Sequence, residues 1–319
     1  MFAAYAARAD PRAPLAALVV GERPEPVPPP GWVVVRVRAA SINHHDLWTL
    51  RGVGIAAEAF PMILGCDAAG IDPEGREVVV HSVIGTGADE TLDPERTLLS
   101  ERYQGTFAAL VAVPAVNVVP KPPELTWSEA ACLPTAWLTA YRMLVTRGRL
   151  QPGETILVQG VGGGVATACI ALGRALGLRV WATSRDQERA AAARGLGADD
   201  VFPPGARLPE RVDAVMETVG AATWEHSVKS LRPGGRIVIS GATTGANPPA
   251  DLTRIFFKQL SVIGSTMGTR AELAELMDVC VKTGLRPVVD RELPMAAAAE
   301  GLAAVAAGDV FGKIVLIRD

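Results

Sequence analysis

Ile156-Leu157-Val158-Gln159-Gly160-Val161-Gly162-Gly163-Gly164-Val165-Ala166 decides the fold. An apolar run enters a turn of small residues, and the turn opens into VATACIALGRALG (165–177), a stretch with helical character. The glycines fit G-x-x-G-x-x-A at Gly160, Gly163 and Ala166, not the strict G-x-G-x-x-G spacing. Small side chains let the backbone approach a pyrophosphate, and the helix start offers free N–H groups and a favourable dipole. Gly160, Gly162, Gly163, Gly164 and Val165 are therefore expected to bind a dinucleotide, provided the turn lies between a strand and a helix of a βαβ unit.

The surroundings meet that condition. TILVQG (155–160), LRVWATS (178–184), VDAVMETVG (212–220), GRIVISGA (235–242) and LSVIGSTMG (260–268) read as apolar strands. Helical stretches lie between several of them, DQERAAAARGLG (186–197) being the clearest. Strands alternating with helices at this spacing predict an α/β fold, a Rossmann-type doubly wound parallel sheet covered on both faces. At the end of the second strand, Thr183-Ser184-Arg185 stands where an NAD enzyme usually carries an acidic residue, with Arg189 one helical turn later. A carboxylate there would repel a 2′-phosphate, whereas hydroxyls and guanidinium groups would bind it. Ser184, Arg185 and Arg189 thus predict NADP(H). The alternative is a solvated Arg185, with Asp186 reaching the ribose.

Outside this region the pattern changes. The first 120 residues read as short strands, among them GWVVVRVRAASIN (31–43), GREVVVHSVIG (75–85) and TFAALVAVP (106–114). The polar stretch 86–105 shows no periodicity, and 128–148 reads as one helix from Ser128 to Gly148. After a helix at about 270–283, PVVDREL and GKIVLIRD return to the strand style of the first part. The expected division is 1–127 with 270–319 in one β-rich domain and 128–269 in the nucleotide domain.

Composition narrows the class of function. Lys and Arg number 31 against 34 Asp and Glu, a net charge of -3 without blocks of one sign, which argues against nucleic-acid binding. Cys66, Cys132, Cys169 and Cys280 lie far apart, forming neither a disulfide framework nor a metal knuckle. The start carries Arg8, Asp10 and Arg12 where a signal peptide would be apolar, and no apolar run reaches the ~18 residues of a membrane span. A soluble, cytoplasmic protein with no membrane partner is expected.

Five further stretches carry a family resemblance: AASINHHDLWTLRG (39–52), FPMILGCDAAG (60–70), QGTFAALVAVP (104–114), EAACLPTAWLTAYRML (129–144) and GKIVL (312–316). With the glycine turn, and in this order, the chain resembles the medium-chain dehydrogenase/reductase superfamily, in its quinone oxidoreductase-like branch that lacks zinc. The resemblance implies a split GroES-like catalytic domain built from both chain ends around a Rossmann domain. It places the three catalytic zinc ligands of zinc-dependent relatives on Asn43, Cys66 and Thr135. Amide and hydroxyl oxygens are poor zinc ligands beside thiolate and imidazole. No cysteine lies in 85–105, where a structural zinc lobe would sit, so no metal is expected.

The resemblance also names site residues. Asn43, His45, Asp46 and Thr135 are the expected catalytic set, with His45 where relatives carry a proton-relay hydroxyl. Asn43, Thr139, Gly241 and Lys313 join the cofactor-binding set. His44 and His45, if in a strand, would point to opposite faces and could not share one ion. The implied activity is NADPH-dependent, zinc-independent hydride transfer to a quinone, enone or related carbonyl substrate. A zinc-dependent alcohol dehydrogenase and a non-catalytic NADPH-binding protein are the alternatives. A homodimer through 260–268 is expected, because that apolar edge carries no Lys or Pro to block pairing.

Overall fold

The computed structural model describes residues 1–318. The chain divides into two units, Met1–Ala136 with Met267–Asp319, and Trp137–Thr266. The first crossing falls inside the helical stretch expected at 128–148, not before it. Trp127–Ala131 is α-helical, Leu133–Trp137 π-helical, Leu138–Arg142 α-helical and Met143–Arg147 π-helical again. Pro134 has no N–H to continue the α-helical ladder, which accounts for the first change of pitch. The opening turn packs on the strands Trp32–Ser41 and Asp67–Ile71, while Leu138–Arg142 packs on the helix Gly164–Ala175. The second crossing comes at Met267, three residues before the expected 270.

The unit Trp137–Thr266 holds a six-stranded parallel sheet. Its spatial order is Asp200–Phe202, Arg179–Thr183, Thr155–Val158, Val212–Glu217, Leu231–Ile239 and Ser261–Gly264. That is the 3-2-1-4-5-6 order of a dinucleotide-binding fold, with the chain reversing direction beside the first strand. All four residues of Thr155–Val158 are buried, as expected of a strand covered on both faces. Leu157, Trp181, Val215, Trp224 and Ile237 share one apolar cluster. Asp200–Phe202 was not expected, since three residues are too few to show a period. The run at 260–268 contributes only Ser261–Gly264, but that strand is the edge, with Val262 47% exposed.

The other unit is built on a seven-stranded sheet whose centre is Trp32–Ser41. Asp67–Ile71 pairs antiparallel on one side and Lys313–Ile317 antiparallel on the other. Ser41 stands opposite Asp67 in one pairing and opposite Val315 in the other. This register brings the late strand beside the start of the helix His44–Arg51. The Rossmann-type parallel sheet and the separate β-rich unit built from both chain ends are both present. No helix among the described residues is long and apolar enough to cross a membrane.

Candidate active site

Around the end of Trp32–Ser41, three expected residues, Asn43, Thr135 and Lys313, meet with Ser41 on one carboxylate. Asp67, fully buried, accepts hydrogen bonds from Ser41 Oγ (2.7 Å), Asn43 Nδ2 (2.8 Å) and Thr135 Oγ1 (2.5 Å). The Lys313 ammonium, 3% exposed, donates to Ile42 O at 2.7 Å and Asn43 Oδ1 at 2.5 Å and lies 3.6 Å from Asp67 Oδ2. Asn43 Nδ2 also donates to Ser41 O at 3.3 Å, so both ends of its amide are engaged inside this unit. Lys313, expected to touch cofactor, directs its ammonium to these buried partners. Thr135 is the half-exposed end of the network, its hydroxyl proton turned to Asp67.

The two histidines open a helix, not a strand. Successive side chains on a helix diverge by about 100° instead of alternating between faces. His44 is exposed, while His45 turns inward. His45 Nδ1 is 3.0 Å from Cys66 Sγ and Nε2 is 3.1 Å from Glu101 Oε1. Direct proton donation from His45 to a substrate would break one of these contacts. Asp46 Oδ2 accepts from Asn43 N (2.8 Å) and Oδ1 from Gly65 N (3.0 Å), which fixes the helix start against the turn before Cys66. Burial pushes the Asp46 carboxyl up to about 6 and the Cys66 thiol well above its ordinary value. Burial also opposes ionisation of Glu101, but hydrogen bonds from His45, Leu98 N and Thr97 outweigh it and hold that carboxyl low.

In the nucleotide unit the glycine turn, Ser184, Arg185 and Gly241 lie at the carboxyl ends of the parallel strands. Gly160 has φ +81°, a conformation glycine adopts without strain. Gly163 is the N-cap of Gly164–Ala175 and makes no side-chain cap. The first helical bond runs from Thr167 N to Gly163 O, leaving the amides of Gly164, Val165 and Ala166 without an intrahelical acceptor. A Cβ built on Gly163 would meet nothing within 4 Å, so the turn presents open space beside those donors. Ser184 and Arg185 follow the second strand, and Arg185 is exposed. Asp186 is spent as a helix cap, its Oδ1 accepting from Arg189 N at 2.9 Å. Gly241 follows Leu231–Ile239 at the same edge. Thr139 lies in Leu138–Arg142 of this unit and is 6% exposed. These features fit the pyrophosphate of a nicotinamide dinucleotide at the amides of Gly164–Ala166 and its ribose beside the exposed Arg185.

A supporting chain not read from the sequence stiffens this edge. Buried Glu217 accepts from Ser227 Oγ (2.6 Å), Ser227 Oγ accepts from Gln159 Nε2 (2.9 Å), and Gln159 Oε1 accepts from Thr183 Oγ1 (3.0 Å). Thr183 Oγ1 in turn accepts from Gly160 N at 2.9 Å. Glu101 was also missed, because it lies in the stretch without periodicity. Gln159 and Thr183 stand within the quoted stretches, and their polarity at the ends of apolar strands is the signal that marks them.

Two family models match the chain, an alcohol dehydrogenase GroES-like domain over residues 29–123 and a zinc-binding dehydrogenase over 164–282. The zinc-type alcohol dehydrogenase-like protein YogA of Leptosphaeria maculans is 30% identical, the match covering 92% of each chain. An acryloyl-coenzyme A reductase of Metallosphaera sedula is 28% identical over 85% of this chain and 87% of its own. A solved NAD-dependent alcohol dehydrogenase superposes with a TM-score of 0.91 at 32% identity over the whole of both chains. The chain belongs to the medium-chain dehydrogenase/reductase superfamily, a family of oxidoreductases.

The zinc that one family description implies does not fit the three ligand positions given by the resemblance. Asn43 and Thr135 are tied to Asp67, and the ammonium already bonded to Asn43 Oδ1 would repel a dication there. Cys66 Sγ faces away from that knot, toward His45 and Leu99 O.

Proposed function

We propose that this chain is an NADPH-dependent reductase that passes hydride to a quinone, an enone or a related carbonyl compound, with no catalytic zinc shared by Asn43, Cys66 and Thr135. The observation that carries this reading is the buried knot of Lys313, Asn43, Asp67 and Thr135, which takes up the groups a zinc ion would need. The dinucleotide, when bound, supplies the hydride. Without a Lewis acid, rate must come from orientation and from hydrogen bonds to the developing negative charge. Quinones and enones suit such a site because conjugation spreads that charge. The relative named acryloyl-coenzyme A reductase supports an acceptor of this conjugated kind. Exposed Arg185, beside an Asp186 occupied as a cap, supports NADPH over NADH. Four buried free thiols suit the cytoplasm, where we place the enzyme.

The test is a screen of purified protein with NADPH and NADH against quinones, enones and aldehydes, with bound metal quantified. NADPH oxidation with quinones or enones is the expected result. Tight NADPH binding with no turnover of any acceptor would instead favour a binding protein. Activity should survive exhaustive treatment with chelator. Turnover that vanishes on metal removal and returns with zinc would move the assignment to a zinc-dependent alcohol dehydrogenase.

We also propose a homodimer through the edge strand Ser261–Gly264. Val262 is 47% exposed there, and Leu252, Phe256 and Phe257 on the preceding helix are 68%, 63% and 76% exposed. Two copies pairing antiparallel about a two-fold axis would cover both features. Light scattering should give twice the 33.4 kDa chain mass, and Val262→Lys should shift it toward one. A monomer at micromolar concentration would refute the interface.

A further inference from the structure

We infer that His45, Cys66 and Asp46 form a binding site for one divalent cation of the zinc class, with a donor set different from the Asn43, Cys66 and Thr135 positions. His45 Nδ1, Cys66 Sγ and a carboxylate oxygen of Asp46 all lie within 4.8 Å of one another. The helical phase makes this possible, since neighbouring helix residues lie about 100° apart and can both reach one ion, whereas strand neighbours face opposite ways.

The arrangement around the donors is that of a metal site's outer shell. Glu101 can only accept, so His45 Nε2 carries the ring proton and Nδ1 presents its lone pair to Cys66. Ligating histidines typically show this pattern, with a carboxylate on the far ring nitrogen fixing tautomer and orientation. Glu101 is itself anchored, its Oε2 accepting from Leu98 N at 2.8 Å and Thr97 Oγ1 at 3.1 Å. Asp46 is held by two backbone amides, each of its oxygens keeping a lone pair. Sulfur and nitrogen are 3.0 Å apart across the present hydrogen bond. Bonds of about 2.3 Å to thiolate and 2.0 Å to imidazole at a tetrahedral angle put those atoms about 3.5 Å apart. Closure therefore needs only a small outward shift. Glu101 lies 3.1 Å from His45 Nε2, and Asp46 supplies a carboxylate among the donors, so two acidic side chains sit beside the site to balance a dication. The imidazole, 18% exposed, is the side from which an ion enters. On binding, a metal–sulfur bond forms and the thiol proton leaves to solvent, with no change of oxidation state. Water completes the coordination.

This inference does not depend on the proposed hydride acceptor, and its test needs no turnover. Metal-free full-length protein is titrated with Co²⁺ alone, followed by absorbance and by proton release in weak buffer. One Co²⁺ per chain is expected, with a thiolate-to-cobalt charge-transfer band, tetrahedral ligand-field bands and about one proton released. Cys66→Ser should abolish the charge-transfer band. Glu101→Gln should keep the band but weaken binding about 10- to 100-fold, the usual effect of losing an outer-shell partner. Thr135→Val should leave both band and affinity unchanged, which separates this site from the ligand positions of zinc-dependent relatives. Absence of a thiolate band in the unmodified protein, its survival in Cys66→Ser, or its loss in Thr135→Val would overturn the inference. Unchanged affinity in Glu101→Gln would do the same.

Discussion

Replacing Arg185 by Ala is expected to raise the dissociation constant for NADPH while leaving that for NADH nearly untouched. A charge-assisted hydrogen bond contributes about 1.5–3 kcal/mol, so the rise should be about 10- to 150-fold. The guanidinium is exposed at the end of the second strand of the nucleotide sheet. The nearest carboxylate that could select for NADH, Asp186, is committed to the amide of Arg189. Ser184 offers less help than the sequence implies. Its hydroxyl donates to Asp186 O at 2.8 Å and accepts from Asp186 N at 3.2 Å, closing a local turn. Fluorescence titration of both cofactors reads the effect directly. Equal weakening of NADH and NADPH, or equal affinity in the unmodified protein, would remove Arg185 from the 2′-phosphate site.

Lys313→Met should be the most destabilising single change at the candidate active site. Removing one partner of a buried ion pair leaves the other charge unpaired and costs about 3–5 kcal/mol. Asp67 is fully buried and Lys313 3% exposed, so water cannot replace the lost ammonium. Lys313→Met combined with Asp67→Asn should recover much of the loss, since no charge is then stranded. Chemical denaturation of the wild type, both single variants and the double variant completes the cycle. A single-variant loss below about 1 kcal/mol, the scale of an exposed pair, would mean that the two charges are not coupled.

The nucleotide fold was legible because its determinants are local. Five of six strands show apolar runs of readable length, and the glycine turn falls within a few residues of its strand and helix. Asp200–Phe202 escaped because three residues carry no period. The long helix was read as continuous, although Pro134 stood in view, since periodicity alone does not distinguish α from π pitch. At the histidines a strand would have set the two rings on opposite faces. The strand Trp32–Ser41 ends before them and Asn43 caps the helix His44–Arg51, which turns His45 and Asp46 inward.

By itself the sequence determined the parallel sheet, the glycine turn and the charged end of its second strand, because hydrophobic period and turn chemistry act over a few residues. The resemblance added which positions to watch. Only the tertiary structure decided what those positions do. Lys313 meets Asn43 across 270 residues of chain, Thr135 meets Asp67 across 68, and His45 meets Glu101 across 56. Such partners are set by the pairing of Trp32–Ser41 with Asp67–Ile71 and Lys313–Ile317, and by the loops that this pairing positions. No local signal encodes a hydrogen bond of that span. It exists because a buried carboxylate or ammonium must find its counterpart once the sheet has closed over it.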